Sequence, residues 1–178
     1  MFAKINSAAL NGLKAISVTL EVNAFLTKGG DGTESTFFMV GLPDNAVRES
    51  KQRVLSALAN SAFRLPRMNV TVNLAPADIR KEGSGFDLPL AVGLLKTTDI
   101  VKADRLDEVA FVGELGLDGT IRSVRGALPI AIEARKQGFK ALFVPKDNER
   151  EAGVVNHLKV YGVKTLKEVV DALNGNLS

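Results

Sequence analysis

The chain has 178 residues, 46% apolar and 24% charged, with a net charge of +3 at neutral pH; this suits one large globular domain with its own core. No apolar run approaches the ~20 residues of a membrane-spanning helix, and the N-terminus lacks the apolar segment of a signal peptide, so a cytoplasmic protein with no membrane partner is expected. Without cysteine, and with His157 as the single histidine, the chain has no disulfide, thiol nucleophile or thiolate metal site, and most histidine chemistry is excluded.

The first third reads as β-rich. AKINSAAL (3–10), AISVTLEVNAFL (15–26) and STFFMVGL (35–42) carry β-branched and aromatic residues, and ISVTLEV alternates with period two. The polar link TKGGDGTES between the second and third reads as a turn or hairpin tip. Pro43-Asp44 then opens a helix with Asp44 as N-cap. Its apolar side is Val47, Val54, Leu55, Leu58 and Ala62, with Arg48, Lys51 and Gln52 opposite. MNVTVNLAP (68–76) alternates strictly and reads as a strand running into the loop RKEGSGFD.

From residue 87 onward helices and strands alternate. DLPLAVGLLK is a short buried helix, and VAFVGELGLDGTI is two strands bent at Asp118-Gly119. RGALPIAIEARKQG is a helix ended by Gly138. A buried strand KALFVP, a short helix NEREAGVV, a strand LKVYGV and a closing helix LKEVVDALNG complete the chain. This order implies one two-layer α/β domain. His157, in VVNHLKVYG, is expected on the surface or at a strand edge.

The loop KEGSGFDLPLAVGLL invites a chemical reading. A phosphate loop needs GxxxxGK[ST]; here Phe-Asp follows GSG, and Asp87 would repel an anion. A serine nucleophile needs a base. The nearest candidate for Ser84 is Lys81, in a segment expected to be exposed, where nothing would lower its pKa. The preferred reading is structural: the glycines let the chain turn, Asp87 caps the following helix, and Pro89 sits in its first turn. Paired acids such as Glu114 and Asp118 can act as general acid and base, but Asp118-Gly119 is first a turn signal.

Taken in order, FFMVGLPDNAVRESKQRVLSAL, VTVNLAPAD, KEGSGFDLPLAVGLL, FVGELGLDGTIRSVRGALPIAIEA and KALFVPKDNEREAGVV resemble the N-terminal domain of ComM/YifB-type, magnesium-chelatase-like AAA+ ATPases. The resemblance covers nearly the whole chain. It implies the ribosomal protein S5 domain 2-like fold, related to the Lon protease domain and to the C-terminal domain of RadA-type proteins. Residues 1–172 would form this domain, and 173–178 the start of a linker to an ATPase module. Laying the KDGPSAG-type loop of active Lon domains on KEGSGFD puts the nucleophile position at Gly85. The partner lysine falls at Leu128, with Arg125 the nearest cation. The resemblance therefore implies a Lon-like domain that has lost protease chemistry, in which Glu114 is structural and pairs with a loop cation. No Walker A sequence is present, so ATP and magnesium are expected only in the ATPase module, and no cofactor or metal site is expected here.

Two functions are open. One is an accessory domain of a hexameric ATPase working on DNA in transformation or branch migration, with contacts through Arg48, Lys51, Arg53, Arg64, Arg67, Arg80 and Lys81. These seven cations face only Glu49 and Asp78 over residues 48–81. The other is a pure oligomerisation or docking module, in which the cations pair with Asp104, Asp107 and Glu108 of a neighbour. Residual serine peptidase activity at Ser84 is the third and least favoured reading.

Overall fold

The computed structural model describes residues 1–27 and 35–175. Most of the expected turn TKGGDGTES, and the last three residues of the expected linker, lie outside them. Strand alternation builds the frame. Phe2–Asn11 (β1) and Lys14–Leu26 (β2) form an antiparallel hairpin in unbroken register from Phe2↔Asn23 to Asn11↔Lys14. Met68–Ala75 (β4) pairs antiparallel with β2, and Phe37–Val40 (β3) lies parallel outside β4. On the far side of β1, Val109–Phe111 (β5), Ala141–Pro145 (β8) and Lys159–Val163 (β9) add in parallel. The result is a mostly parallel seven-stranded sheet in the order β3-β4-β2-β1-β5-β8-β9. Glu114–Leu115 (β6) and Ile121–Arg122 (β7) form a separate small hairpin, so VAFVGELGLDGTI holds three strands where the sequence predicts two.

Helices lie on both faces of the sheet. Ser50–Asn60 (α2), Asp87–Thr97 (α3) and Leu166–Asn174 (α6) cover one face, against Ile5, Leu20, Val22, Val72, Leu74, Phe111 and Phe143. Ala127–Lys136 (α4) and Glu149–Ala152 (α5) cover the other, against Ala8, Ala110, Leu142 and Val144. The expected two layers are thus three over part of the sheet. The parallel strands β5 and β8 are buried on both faces, as a continuous apolar run such as ALFV requires. Phe111, Phe143 and Tyr161 stack across β5, β8 and β9 with ring centroids 5.1 and 4.9 Å apart.

α4 and α5 reach only part of their face. Over the start of β1, the end of β2, and all of β4 and β3, the described residues place no helix, and the outward side chains of those strands meet solvent. Asp44 caps Asn45–Arg48 (α1), as expected, and Gly138 leaves α4 at φ +85°. Two expectations for α2 fail. Ala62 lies beyond the helix at φ +63°, and Leu55 is exposed; the expected Val54 and Leu58 are buried, together with Ser50 and Ala57. His157 is exposed, as predicted. Among the described residues no helix is long and apolar enough to cross a membrane.

Candidate functional site

The loop between β4 and α3 is held from three sides. The Asp44 amide donates to the Lys81 carbonyl and the Lys81 amide to the Leu42 carbonyl, so the loop is stitched to the chain leaving β3. The Asp44 carboxylate accepts from the Val47 amide at 2.8 Å and from the Gly83 amide at 3.2 Å. Below, the Gly85 carbonyl accepts from the Gly113 amide at 2.9 Å, and the Leu88 amide donates to the Gly113 carbonyl. Gly83 turns the chain at φ +89°.

Beneath the loop is a charged centre that was not expected. Asp87 does not cap α3: Phe86 holds the cap position, and Asp87, in the first turn, is fully buried. A carboxylate without water must find donors, and it has several. Arg53 gives it Nε at 2.6 Å and Nη2 at 3.0 Å, the Leu115 amide donates at 3.0 Å, and the Ser50 hydroxyl makes a close hydrogen bond. Burial pushes the Asp87 carboxyl above its ordinary value, against the pull of Arg53, Ser50 and the Leu115 amide. The hydrogen bond to Asp87 raises the guanidinium of Arg53 in turn, with smaller contributions from the charges of Asp87, Glu114 and Glu49 and burial opposing.

Lys81 also departs from expectation. Its segment was expected to be exposed, yet the side chain is 1% exposed, donating from Nζ to the carbonyls of Gly41 and Pro76. Burial lowers its pKa, against the charge of Asp78. Because the ammonium points to these carbonyls, it is not turned toward Ser84.

Above this centre lies a cavity of about 380 Å³, open to solvent. Ser84, Gly85, Glu114 and Arg125 line it together, beside Leu10, Val112 and Val124. The sequence-predicted site residues thus divide. Those four converge on one cavity, while Asp87 lies beneath it, and Leu128 packs half-buried on the second core with its amide donating to Glu151 at 3.0 Å. A Cβ on Gly85 would stand 3.1 Å from Val112 Cγ2 and 3.6 Å from Val124 Cγ1. A side chain there would crowd the cavity's apolar wall. Asp118 accepts from the Thr120 amide at 3.0 Å and hydroxyl at 2.7 Å, which holds its pKa below the ordinary value and makes it a turn residue. Among the described residues, no group of three or more His, Cys, Asp or Glu could hold a metal ion.

The seven cations do not form one patch. Arg53 and Lys81 are committed inside the domain. Arg64 and Arg67 precede β4, and Arg80 follows it, separated by eight strand residues or about 25 Å. Arg48 and Lys51 line a groove of about 250 Å³ with Phe37, Phe38 and Met39 at the β3 edge, where Lys51 Nζ sits 5.7 Å from the Phe37 ring centre. Arg80 stands 3.7 Å from Glu82, both exposed. Of the opposing acids, Glu108 already lies near Arg105 and Lys140 at 3.5 and 3.2 Å, leaving Asp104 and Asp107 exposed. Sequence reasoning missed the Arg53–Asp87–Ser50 centre. The available signal was a lone aspartate inside the otherwise apolar run FDLPLAVGLL, which demands a partner.

Comparison with known proteins places the chain in a family. A family model described as "Subunit ChlI of Mg-chelatase" matches residues 27–148. The chain is 43% identical over 173 residues to Competence protein ComM of Haemophilus influenzae, covering 97% of this chain and 33% of that protein. It is 44% identical over 152 residues to the uncharacterized protein YifB of Escherichia coli, covering 85% and 29%. A more distant likeness, 24% over 125 residues, runs to Lon protease 2 of Bacillus subtilis, covering 70% and 22%. The chain spans about a third of the length of the first two relatives.

Proposed function

Because the chain belongs to the family of subunit ChlI of Mg-chelatase, we propose that it is a non-catalytic accessory domain of a magnesium-chelatase-like AAA+ ATPase that serves DNA processing. The observation that carries the non-catalytic part is the cavity wall at Gly85. The position offers no hydroxyl, a Cβ there would press on Val112, and Leu128 brings no amine to the cavity. Ser84 is on the rim, but the nearest lysine is turned away into the Gly41 and Pro76 carbonyls, so acyl transfer has no base. A phosphonate probe for reactive serines should label wild type and Ser84→Ala equally little. Labelling that Ser84→Ala abolishes would reinstate a peptidase.

The mixed sheet and the likeness to a Lon protease support the S5 domain 2-like assignment. ATP and magnesium belong to the ATPase module of the longer protein, which would assemble as a hexamer in the cytoplasm. The DNA reading is supported by the competence name of one relative and by cations strung along the β3–β4 side of the sheet: Arg48, Arg64, Arg67 and Arg80, all exposed, and the half-buried Lys51. Phosphate contacts predict an affinity that falls steeply with salt. Arg64→Ala with Arg67→Ala should weaken binding to any DNA sequence and flatten that salt dependence. A wild-type chain that binds no DNA at low salt, alone or joined to its ATPase module, would refute the DNA reading. The alternative, docking to a neighbouring subunit's Asp104 and Asp107 without DNA, predicts salt-sensitive self-association instead.

A further inference from the structure

The uncovered half of the sheet bears an unusual set of side chains. In one row across four strands stand Phe2, Asn23, Thr71 and Phe38, fixed by the pairings Phe2↔Asn23, Asn23↔Thr71 and Phe38↔Thr71. Phe25, paired with Asn69, stands in the next row. The three phenylalanines are 58%, 61% and 61% exposed, although phenylalanine is normally an interior residue. With strands about 4.8 Å apart and about 3.3 Å rise per residue, Phe2 and Phe38 are about 14 Å apart and Phe25 about 8 Å from Phe2. The rings are therefore too widely spaced to cover one another. Between Phe2 and Phe38 the gap is polar: the side chains of Asn23 and Thr71 make no hydrogen bond among the described residues, while Val40, 48% exposed, stands beyond Phe38 on the same strand.

This pattern differs from the centre of a protein–protein interface, where apolar side chains are contiguous and exclude water. Separated rings with amide and hydroxyl groups between them match a surface that takes flat, polar-edged rings one at a time. Its charge matches a polyanion. Lys4 is on the face, Arg67 precedes β4 in the same alternation as Asn69 and Thr71, and Arg48 and Lys51 border the β3 edge. None of these four is within ion-pair distance of a carboxylate among the described residues. Among the described residues, the acid on the open-face side of these strands is Glu21, which accepts from Asn73 at 2.6 Å.

We infer that this bare face is a base-stacking platform for single-stranded DNA, with Phe2, Phe25 and Phe38 each taking a base and the flanking cations the phosphates. The inference rests on the DNA reading above and narrows it to unpaired strands, because rings standing on a flat sheet reach base faces only where the bases are unstacked from a duplex.

The test uses the 178-residue chain, a fluorescent oligo-dT strand and a duplex of equal length. Phe2→Leu, Phe25→Leu and Phe38→Leu keep an apolar side chain but remove the ring, and each should weaken oligo-dT binding about tenfold. The salt dependence should stay unchanged, since no phosphate contact is lost, whereas Arg67→Ala should lower its slope by about one. Unchanged far-UV circular dichroism checks that these exposed positions leave the fold intact. Single-strand binding that is indifferent to all three leucine variants would overturn the platform and leave the DNA reading standing. Absence of any DNA binding by wild type at low salt, both alone and joined to its ATPase module, would overturn both. Wild-type self-association that the leucine variants abolish, without a change in DNA affinity, would assign the face to a second copy and also overturn the platform.

Discussion

Replacing Asp87 by alanine should be among the most damaging single changes in the domain, and its size follows from the partners left behind. Asp87→Ala would strand the Arg53 guanidinium, the Leu115 amide and the Ser50 hydroxyl, all of which now point at one buried carboxylate. Breaking a buried ion pair from one side costs about 3–5 kcal/mol. Here the lower end applies, because the Arg53 side chain is 19% exposed, keeps its 2.7 Å bond to the Ala46 carbonyl and has Glu49 at 3.8 Å. A loss of about 3 kcal/mol in a chain of this length corresponds to about 6–12 °C in melting temperature. Urea unfolding followed by far-UV circular dichroism measures it, since there is no tryptophan to report by fluorescence. Removing the whole centre at once, as Ser50→Ala, Arg53→Met and Asp87→Leu, should recover at least half of the loss, because the uncompensated charge goes with it. If Asp87→Ala costs less than about 1 kcal/mol, or the triple variant is no better than the single one, the account of the centre is wrong.

Other consequences are smaller and separable. Lys81→Met should cost about 1–3 kcal/mol by leaving the Gly41 and Pro76 carbonyls without their donor. Because burial lowers the folded-state pKa of Lys81, the folded chain sheds this proton before the unfolded chain does. Wild type should therefore gain stability relative to Lys81→Met as pH rises from the depressed value toward about 10.5, read from urea midpoints at neutral and alkaline pH. Glu149 is held below the ordinary glutamate value, chiefly by its hydrogen bond from Lys146. Its contribution is present above about pH 4.5 and lost as pH falls through the depressed value, so wild type and Glu149→Gln should converge in acid. Gly119→Ala should cost about 1–2 kcal/mol. The backbone there has φ +89°, and a Cβ would lie 2.4 Å from the Ser61 hydroxyl; adding Ser61→Ala should return only the part due to that contact.

The sequence made the elements visible wherever a single period ruled. MNVTVNLA alternates without interruption and is β4; ALFVP is apolar throughout and is the doubly buried β8. Asp44, Gly138 and Asp118-Gly119 announce a cap, an exit and a turn because those conformations need those residues locally. What stayed hidden depends on distant partners. Lys81 lies between polar neighbours, and only the pairing of its backbone with Leu42 and Asp44 carries it under the loop. Arg53 reads as one more surface cation of a helix until Asp87, 34 residues later, is folded against it. Resemblance to the Lon-type loop picks out Ser84 and Gly85 and the GE motif picks out Glu114, and the fold brings all three to one cavity; Leu128 takes a place in the second core that no local pattern marks. The layer count failed because chain order alone does not say which face of a sheet a helix will cover.

The carboxylate of Asp44 has a mechanical consequence. One oxygen fixes the first turn after β3 and the other fixes Gly83 on the rim of the cavity, while the neighbouring backbone links Leu42 and Asp44 to Lys81. The cavity rim and the chain leaving the open edge of the sheet are thus joined by one carboxylate and two backbone hydrogen bonds. A shift of one end must drag the other or break those bonds.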